Sequence, residues 1–224
     1  MPTAQSGDER RRRLDRARLY LVLDLEAVAS VLADALEAGV DLVQLRDKAA
    51  SDDALSAAGG PMRELCARHG ALFLVNDRPD LALALDADGC HVGQDDASPE
   101  AVRAELGPER LIGLSTHSPE QFDAGLRTEA DYLSAGPVHA TPTKPGRAAT
   151  GLALIEHAAA HATKPFFAIG GIDDETIAPA LAAGAKRIVV VRAIRDAADP
   201  GAAAAELRAA IDSGAREGVE ARAG

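Results

Sequence analysis

Eight short β-rich runs, separated by alanine-rich segments of helical periodicity, predict a single α/β domain of the (β/α)8 TIM-barrel class. Two further observations point to that closed form. No two neighbouring runs are joined by a tight hairpin, which implies parallel strands with helical crossovers. Nearly every run also ends in polar residues or glycine, and the carboxyl ends of the strands are where such a barrel gathers its functional groups. The alternative is a doubly wound open sheet, which usually carries a glycine-rich fingerprint after its first strand. LYLVLDLEAV has none.

The predicted strands are LYLVLD (19–24), DLVQLR (41–46), ALFLVN (71–76), GCHVGQ (89–94), RLIGLS (110–115), DYLSAG (131–136), PFFAIG (165–170) and RIVVVRA (187–193). Between them, segments such as LEAVASVLADALEAG (25–39) and DETIAPALAAGA (174–185) place apolar residues at helical spacing. A faint repeat links the two: EAGVDLV, LDADGCH, TEADYLS and AAGAKRIVV each pass from a helix end through a small residue into a strand. Gly39 and Gly184 suit the left-handed position that closes a helix. Residues 19–214 form the expected barrel, after a flexible or helical lead-in (1–18) and before a disordered tail (215–224).

Composition narrows the function. The 224 residues carry a formal charge of −11, which argues against nucleic acid or an anionic membrane as partner. Small anions remain open, because a few local Arg and Lys can outweigh the global field. Self-association into a homo-oligomer is also open. Cys66 and Cys90 show no metal-type spacing and suit two free thiols in a reducing compartment. No apolar run reaches the length of a membrane span, and none follows Arg10–Arg13 as a signal peptide requires, so a cytoplasmic location is expected.

Chemistry concentrates at six of the strand ends. In VQLRDK, Gln44, Arg46 and Lys48 share one parity, opposite to Val43 and Leu45, so they face the barrel mouth together. A forked guanidinium and an ammonium there suit a diphosphate. In VNDRPD, Asn76 and Asp77 end the third strand, with Asp77 also a candidate helix cap. One βα unit later, HVGQDD ends in Asp95 and Asp96. Carboxylates on neighbouring strands repel unless a cation sits between them, and Mg2+ commonly takes one or two carboxylates plus a substrate phosphate. Asp96 is the expected ligand and Asp95 a bystander. The loop HATPTKPGR offers Thr141, Thr143 and Lys144, and AIGGI followed by VVVRA matches a phosphate-binding cup built after the last two strands.

Taken in order, LYLVLD, VQLRDK, VNDRPDLALALDADGCHVGQDD, GLSTHS, GPVHATPTK, AIGGI and VVVRAI resemble the thiamine-phosphate synthase family over almost the whole chain. The resemblance implies coupling of 4-amino-2-methyl-5-hydroxymethylpyrimidine diphosphate to 4-methyl-5-(2-phosphoethyl)thiazole. It implies that Gln44, Arg46, Lys48, Asn76, Ser115 and Lys144 bind the pyrimidine diphosphate, with Arg46, Ser115 and Lys144 as catalytic members. Asp77 and Asp96 would hold Mg2+. Thr141, Pro142, Thr143, Gly171, Val191 and Arg192 would cradle the thiazole phosphate. The implied mechanism is dissociative: diphosphate departs, a pyrimidine methylene cation forms, and the thiazole nitrogen attacks it. Leu23, His139 and Ala140 depart from the family pattern. A thiazole tautomerase and a non-catalytic phosphate sensor are the competing readings of the same barrel.

Overall fold

The computed structural model describes residues 6–140 and 149–223, with side chains through residue 214. Eight parallel strands close in sequence order: β1 (Leu19–Leu23), β2 (Leu42–Leu45), β3 (Leu72–Asn76), β4 (Gly89–Val92), β5 (Leu111–Thr116), β6 (Tyr132–Ala135), β7 (Phe166–Ile169) and β8 (Ile188–Val190). Pairing of Leu19 with Ile188 and Tyr20 with Val189 seals the ring between β1 and β8. The helices are α1 (Gly7–Arg16), α2 (Leu25–Glu37), α3 (Asp52–Arg68), α4 (Pro79–Ala84), α5 (Pro99–Leu106), α6 (Pro119–Gly125), α7 (Ala153–His161), α8 (Ile177–Ala182), α9 (Arg192–Arg195) and α10 (Pro200–Ala223). This is the single (β/α)8 barrel that the alternating pattern predicts. Among the described residues, no helix is long and apolar enough to cross a membrane.

Strand alternation divides the apolar residues into two clusters. Leu19, Leu21, Val43, Leu45, Phe73, Val75 and Leu133 pack outward against the helices. Tyr20, Val22, Leu42, Leu72, Leu74, Leu111, Tyr132, Phe167 and Val189 fill the barrel interior. The inward set is apolar at the amino ends of the strands and polar toward their carboxyl ends, where Gln44, His91, Ser115 and Ser134 are all buried. The barrel therefore has a sealed floor and a chemical mouth.

Helix α1 makes the floor. Its Leu14, with Ala17 just beyond it, joins the interior cluster, and the arginine run reaches the strand starts around it. Arg10 Nε lies 2.9 Å from Asp88 Oδ1, Arg11 Nε lies 2.8 Å from Asp131 Oδ1, and Arg13 donates to the Gly70 carbonyl. These aspartates give the internal repeat its physical meaning. Asp41, Asp88 and Asp131 each precede an even-numbered strand. Each accepts the first free N–H of the strand before it: Leu19, Phe73 and Ile112 respectively. Each also pairs with arginine: Asp41 with Arg208, Asp88 with Arg10, and Asp131 with both Arg11 and Arg103. The fourth copy, before β8, has Arg187 instead, whose guanidinium donates to the Asp15 carbonyl.

Two elements differ from the predicted boundaries. The run RIVVVRA contains only a three-residue strand, because Val191 leaves extended geometry (φ −122°, ψ −82°) and Arg192 opens α9. The helix α10 continues to Ala223, through most of the segment expected as a tail. The thiols of Cys66 and Cys90 are free and buried, and burial pushes both up to about 12.

Asp88→Ala should destabilise the fold by about 3 kcal/mol, because it leaves the Arg10 guanidinium buried without its carboxylate and the Phe73 N–H without an acceptor. Urea denaturation of the purified variant measures the loss.

Candidate active site

The mouth is formed by the residues just beyond each strand. After β2, which ends at Leu45, come Arg46 and Lys48. After β3 come Asn76 and Asp77, and after β4 the turn Gly93–Asp96. Arg46, Lys48, Asn76, Asp77, Asp96 and Ser115 all line one cleft of about 220 Å3. Six of the residues proposed from separate motifs are thus brought together. Gln44 lies just beneath, in a smaller pocket that also reaches Arg46, Asn76 and Ser115.

Asp77 is held in an unusual way. Its φ is +58°, a left-handed conformation uncommon for a non-glycine residue. Its N–H donates to the His91 carbonyl at 2.8 Å, and its Oδ2 lies 2.9 Å from Lys48 Nζ. It does not cap α4: the capping position belongs to Arg78, which makes no side-chain cap bond, with Pro79 at the first turn. Arg78 instead forks onto Asp52 and Asp80 and anchors the loop that presents Asp77. Hydrogen bonds from that guanidinium hold both carboxyls below the usual carboxylate range.

Asp96 turns its Oδ2 back to accept the Gly93 N–H at 2.8 Å. Among the described residues, its Oδ1 and the Oδ1 of Asp77 have no protein partner. The cleft therefore presents one uncommitted oxygen from each carboxylate, at the ends of neighbouring strands. That donor set fits a hard divalent cation which completes its shell with water and phosphate rather than with an all-protein cage. The neighbour Asp95 also lines the cleft.

A second cleft, of about 270 Å3, opens on the other side of Ser115. Gly170, Gly171, Val191 and Arg192 lie along it, with Pro137 and Ile169 supplying apolar wall. Glycine is required at its rim: Gly171 has φ +65°, and a Cβ there would fall 2.7 Å from His139 Cβ. Thr141, Pro142, Thr143 and Lys144 lie outside the described residues. Asp24, another polar strand end, serves the fold: it caps α2 through the Ala27 N–H and pairs with Arg195 at 2.7 Å. Ser118 likewise caps α6.

The profile of the family described as thiamine monophosphate synthase matches residues 19–194 of this chain. The chain belongs to the thiamine monophosphate synthase family. Within it, the chain is 52% identical over 204 residues to the thiamine-phosphate synthase of Thermobifida fusca, covering 88% of this chain and 94% of that protein. It is 47% identical over 202 residues to the thiamine-phosphate synthase of Gloeobacter violaceus, covering 90% of this chain and 59% of that protein. The chain thus spans less than three fifths of the length of the Gloeobacter violaceus and Nostoc punctiforme relatives and nearly all of the length of the Thermobifida fusca one. Among solved structures, thiamine phosphate pyrophosphorylase from Pyrococcus furiosus superimposes with a TM-score of 0.80 at 32% identity, covering 91% of this chain and 98% of that one.

Three residues of this site escape the motif reading. Tyr20 and Tyr132 occupy inward positions of β1 and β6, and Gly113 of β5 lies against the second of them. A Cβ on Gly113 would fall 2.2 Å from the Tyr132 ring and 2.3 Å from His91 Nδ1. The usable signal was strand parity: each tyrosine shares its face with a residue that lines the site, Val22 or Ser134. Gly113→Ala should cost about 1–3 kcal/mol by overpacking the interior, read as a lowered urea midpoint.

Proposed function

We propose that this chain is a thiamine-phosphate synthase, a transferase that joins the pyrimidine diphosphate to the thiazole phosphate and yields thiamine phosphate and diphosphate. The observation that carries this reading is the pair of clefts meeting at Ser115. One is lined by Arg46, Lys48, Asn76, Asp77 and Asp96, and the other by Gly171, Val191 and Arg192. Two phosphorylated substrates suit such a mouth, and their reacting ends would meet over Ser115.

In this reading the C–O bond between the pyrimidine methylene carbon and the diphosphate breaks, and the electron pair leaves with diphosphate. The methylene cation then takes the lone pair of the thiazole nitrogen, and the positive charge ends on the thiazolium ring. No proton abstraction is needed, which agrees with a site built of donors and charges rather than a nucleophile and a base. Arg46 and Lys48 stabilise charge developing on the departing oxygens, and the Ser115 hydroxyl adds a hydrogen bond. Lys144 would add a further cation, and Thr141, Pro142 and Thr143 would cradle the thiazole phosphate. Gln44 and Asn76 orient the pyrimidine end. Asp77 and Asp96 would hold Mg2+, which neutralises diphosphate charge when bound. The free thiols suit action in the cytoplasm.

The purified protein, given both substrates and Mg2+, should form thiamine phosphate and diphosphate. Asp96→Asn keeps an acceptor for the Gly93 N–H but removes the charge, and should lower kcat/KM by about a hundredfold or more. Asp95→Asn should change it far less. Turnover of a thiazole tautomer without diphosphate release would favour the tautomerase reading instead.

A further inference from the structure

Five buried side chains on five different strands touch in series across the barrel interior. The Gln44 amide donates to Tyr20 Oη. Tyr20 Oη lies 3.2 Å from Tyr132 Oη, Tyr132 Oη lies 2.9 Å from His91 Nδ1, and His91 Nε2 lies 2.9 Å from Ser115 Oγ. All five are at most 8% exposed, so water does not compete for their protons along the line. Each phenol and the serine carry one proton, and a neutral imidazole carries one. The series therefore has a direction, and that direction is set at its first member.

With the Gln44 N–H aimed at Tyr20, the Tyr20 proton goes to Tyr132 and the Tyr132 proton goes to His91 Nδ1. His91 must then carry its proton on Nε2 and donate to Ser115 Oγ. The Ser115 hydrogen is left free to point into the diphosphate cleft. Reversing the series beyond Tyr20 would make Tyr20 accept from both Gln44 and Tyr132. Its own proton would then be buried without an acceptor, which disfavours that order. Turning the Gln44 amide over relieves that cost, but Ser115 then donates to His91 and shows only lone pairs to an anion.

We infer that this series is a positioning relay: it holds His91 as the neutral Nε2–H tautomer and presents the Ser115 hydroxyl as a donor to the leaving diphosphate. It also ties the amide orientation of Gln44, at the pyrimidine end, to the proton position on Ser115, at the leaving-group end. The clause concerning diphosphate rests on the proposed synthase activity; the tautomer does not. Burial pushes both phenols above their ordinary range, which keeps their protons in the series. Gly113 is what lets the Tyr132 and His91 rings meet.

Nitrogen NMR of the 15N-histidine-labelled protein without ligand tests the tautomer, with His91→Gln identifying the His91 signals. The expected spectrum has a protonated Nε2 and an unprotonated Nδ1. Tyr132→Phe and Tyr20→Phe each remove one oxygen and keep the ring, and both should shift His91 toward a mixture of tautomers. With both substrates and Mg2+, the same variants should lose about tenfold in kcat, since Ser115 keeps its place but not its proton order. The KM for the thiazole phosphate should not move. A wild-type His91 protonated on Nδ1, or Tyr132→Phe with an unchanged spectrum and full kcat, would overturn the relay. A wild-type protein that makes no thiamine phosphate would remove the synthase reading instead, and the spectrum alone would then decide the tautomer.

Discussion

Closing eight parallel strands into a barrel sends every second side chain into an interior only a few side chains wide, and that constraint organises the rest of the molecule. Apolar residues fill the lower positions, so the floor can be sealed by Leu14 and Ala17. Polar residues occupy the upper ones, where they have little water and must satisfy one another. Gln44, Tyr20, Tyr132, His91 and Ser115 do so in a single hydrogen-bonded series. The base of the site is thus the upper surface of the core, and these five side chains are positioned by core packing.

The two ends of the barrel use the same residue types with opposite logic. At the floor, Asp41, Asp88 and Asp131 each meet a backbone N–H and at least one arginine, so their charge is neutralised within the protein. At the mouth, Asp77 has an exposed lysine and Asp96 a single backbone N–H, and each keeps an oxygen uncommitted among the described residues. Carboxylates completed by the fold hold structure. Carboxylates left incomplete, beside Arg46, are suited to a cation and an anion brought in from solution.

Much of this was legible in the sequence because its signals are local and periodic. Eight apolar runs of strand length could not be hidden, and the VQLRDK run gave both the end of β2 and the cations just beyond it, Arg46 and Lys48. The spacing of Asp77 and Asp96 by one βα unit placed both at one cleft. Other features depend on what lies across the barrel. Asp77, left-handed at φ +58°, lies one residue before the cap position of α4, which Arg78 holds, so the local pattern alone did not separate a cap from a cleft residue. The arginine run has a purpose only where α1 lies against the strand-start aspartates Asp88 and Asp131. Tyr20 and Tyr132 stand more than a hundred residues apart in sequence, yet their oxygens lie 3.2 Å apart, and only closure of the ring brings them together.

In the proposed function the mouth binds diphosphate through Arg46 and Lys48, and Asp77 and Asp96 would hold Mg2+. Calorimetric titration of the unmodified protein with inorganic diphosphate, with Mg2+ and again with a chelator, tests it without any variant or turnover. Binding should saturate with the metal present and weaken sharply once it is removed. Equal affinity in both titrations would contradict it.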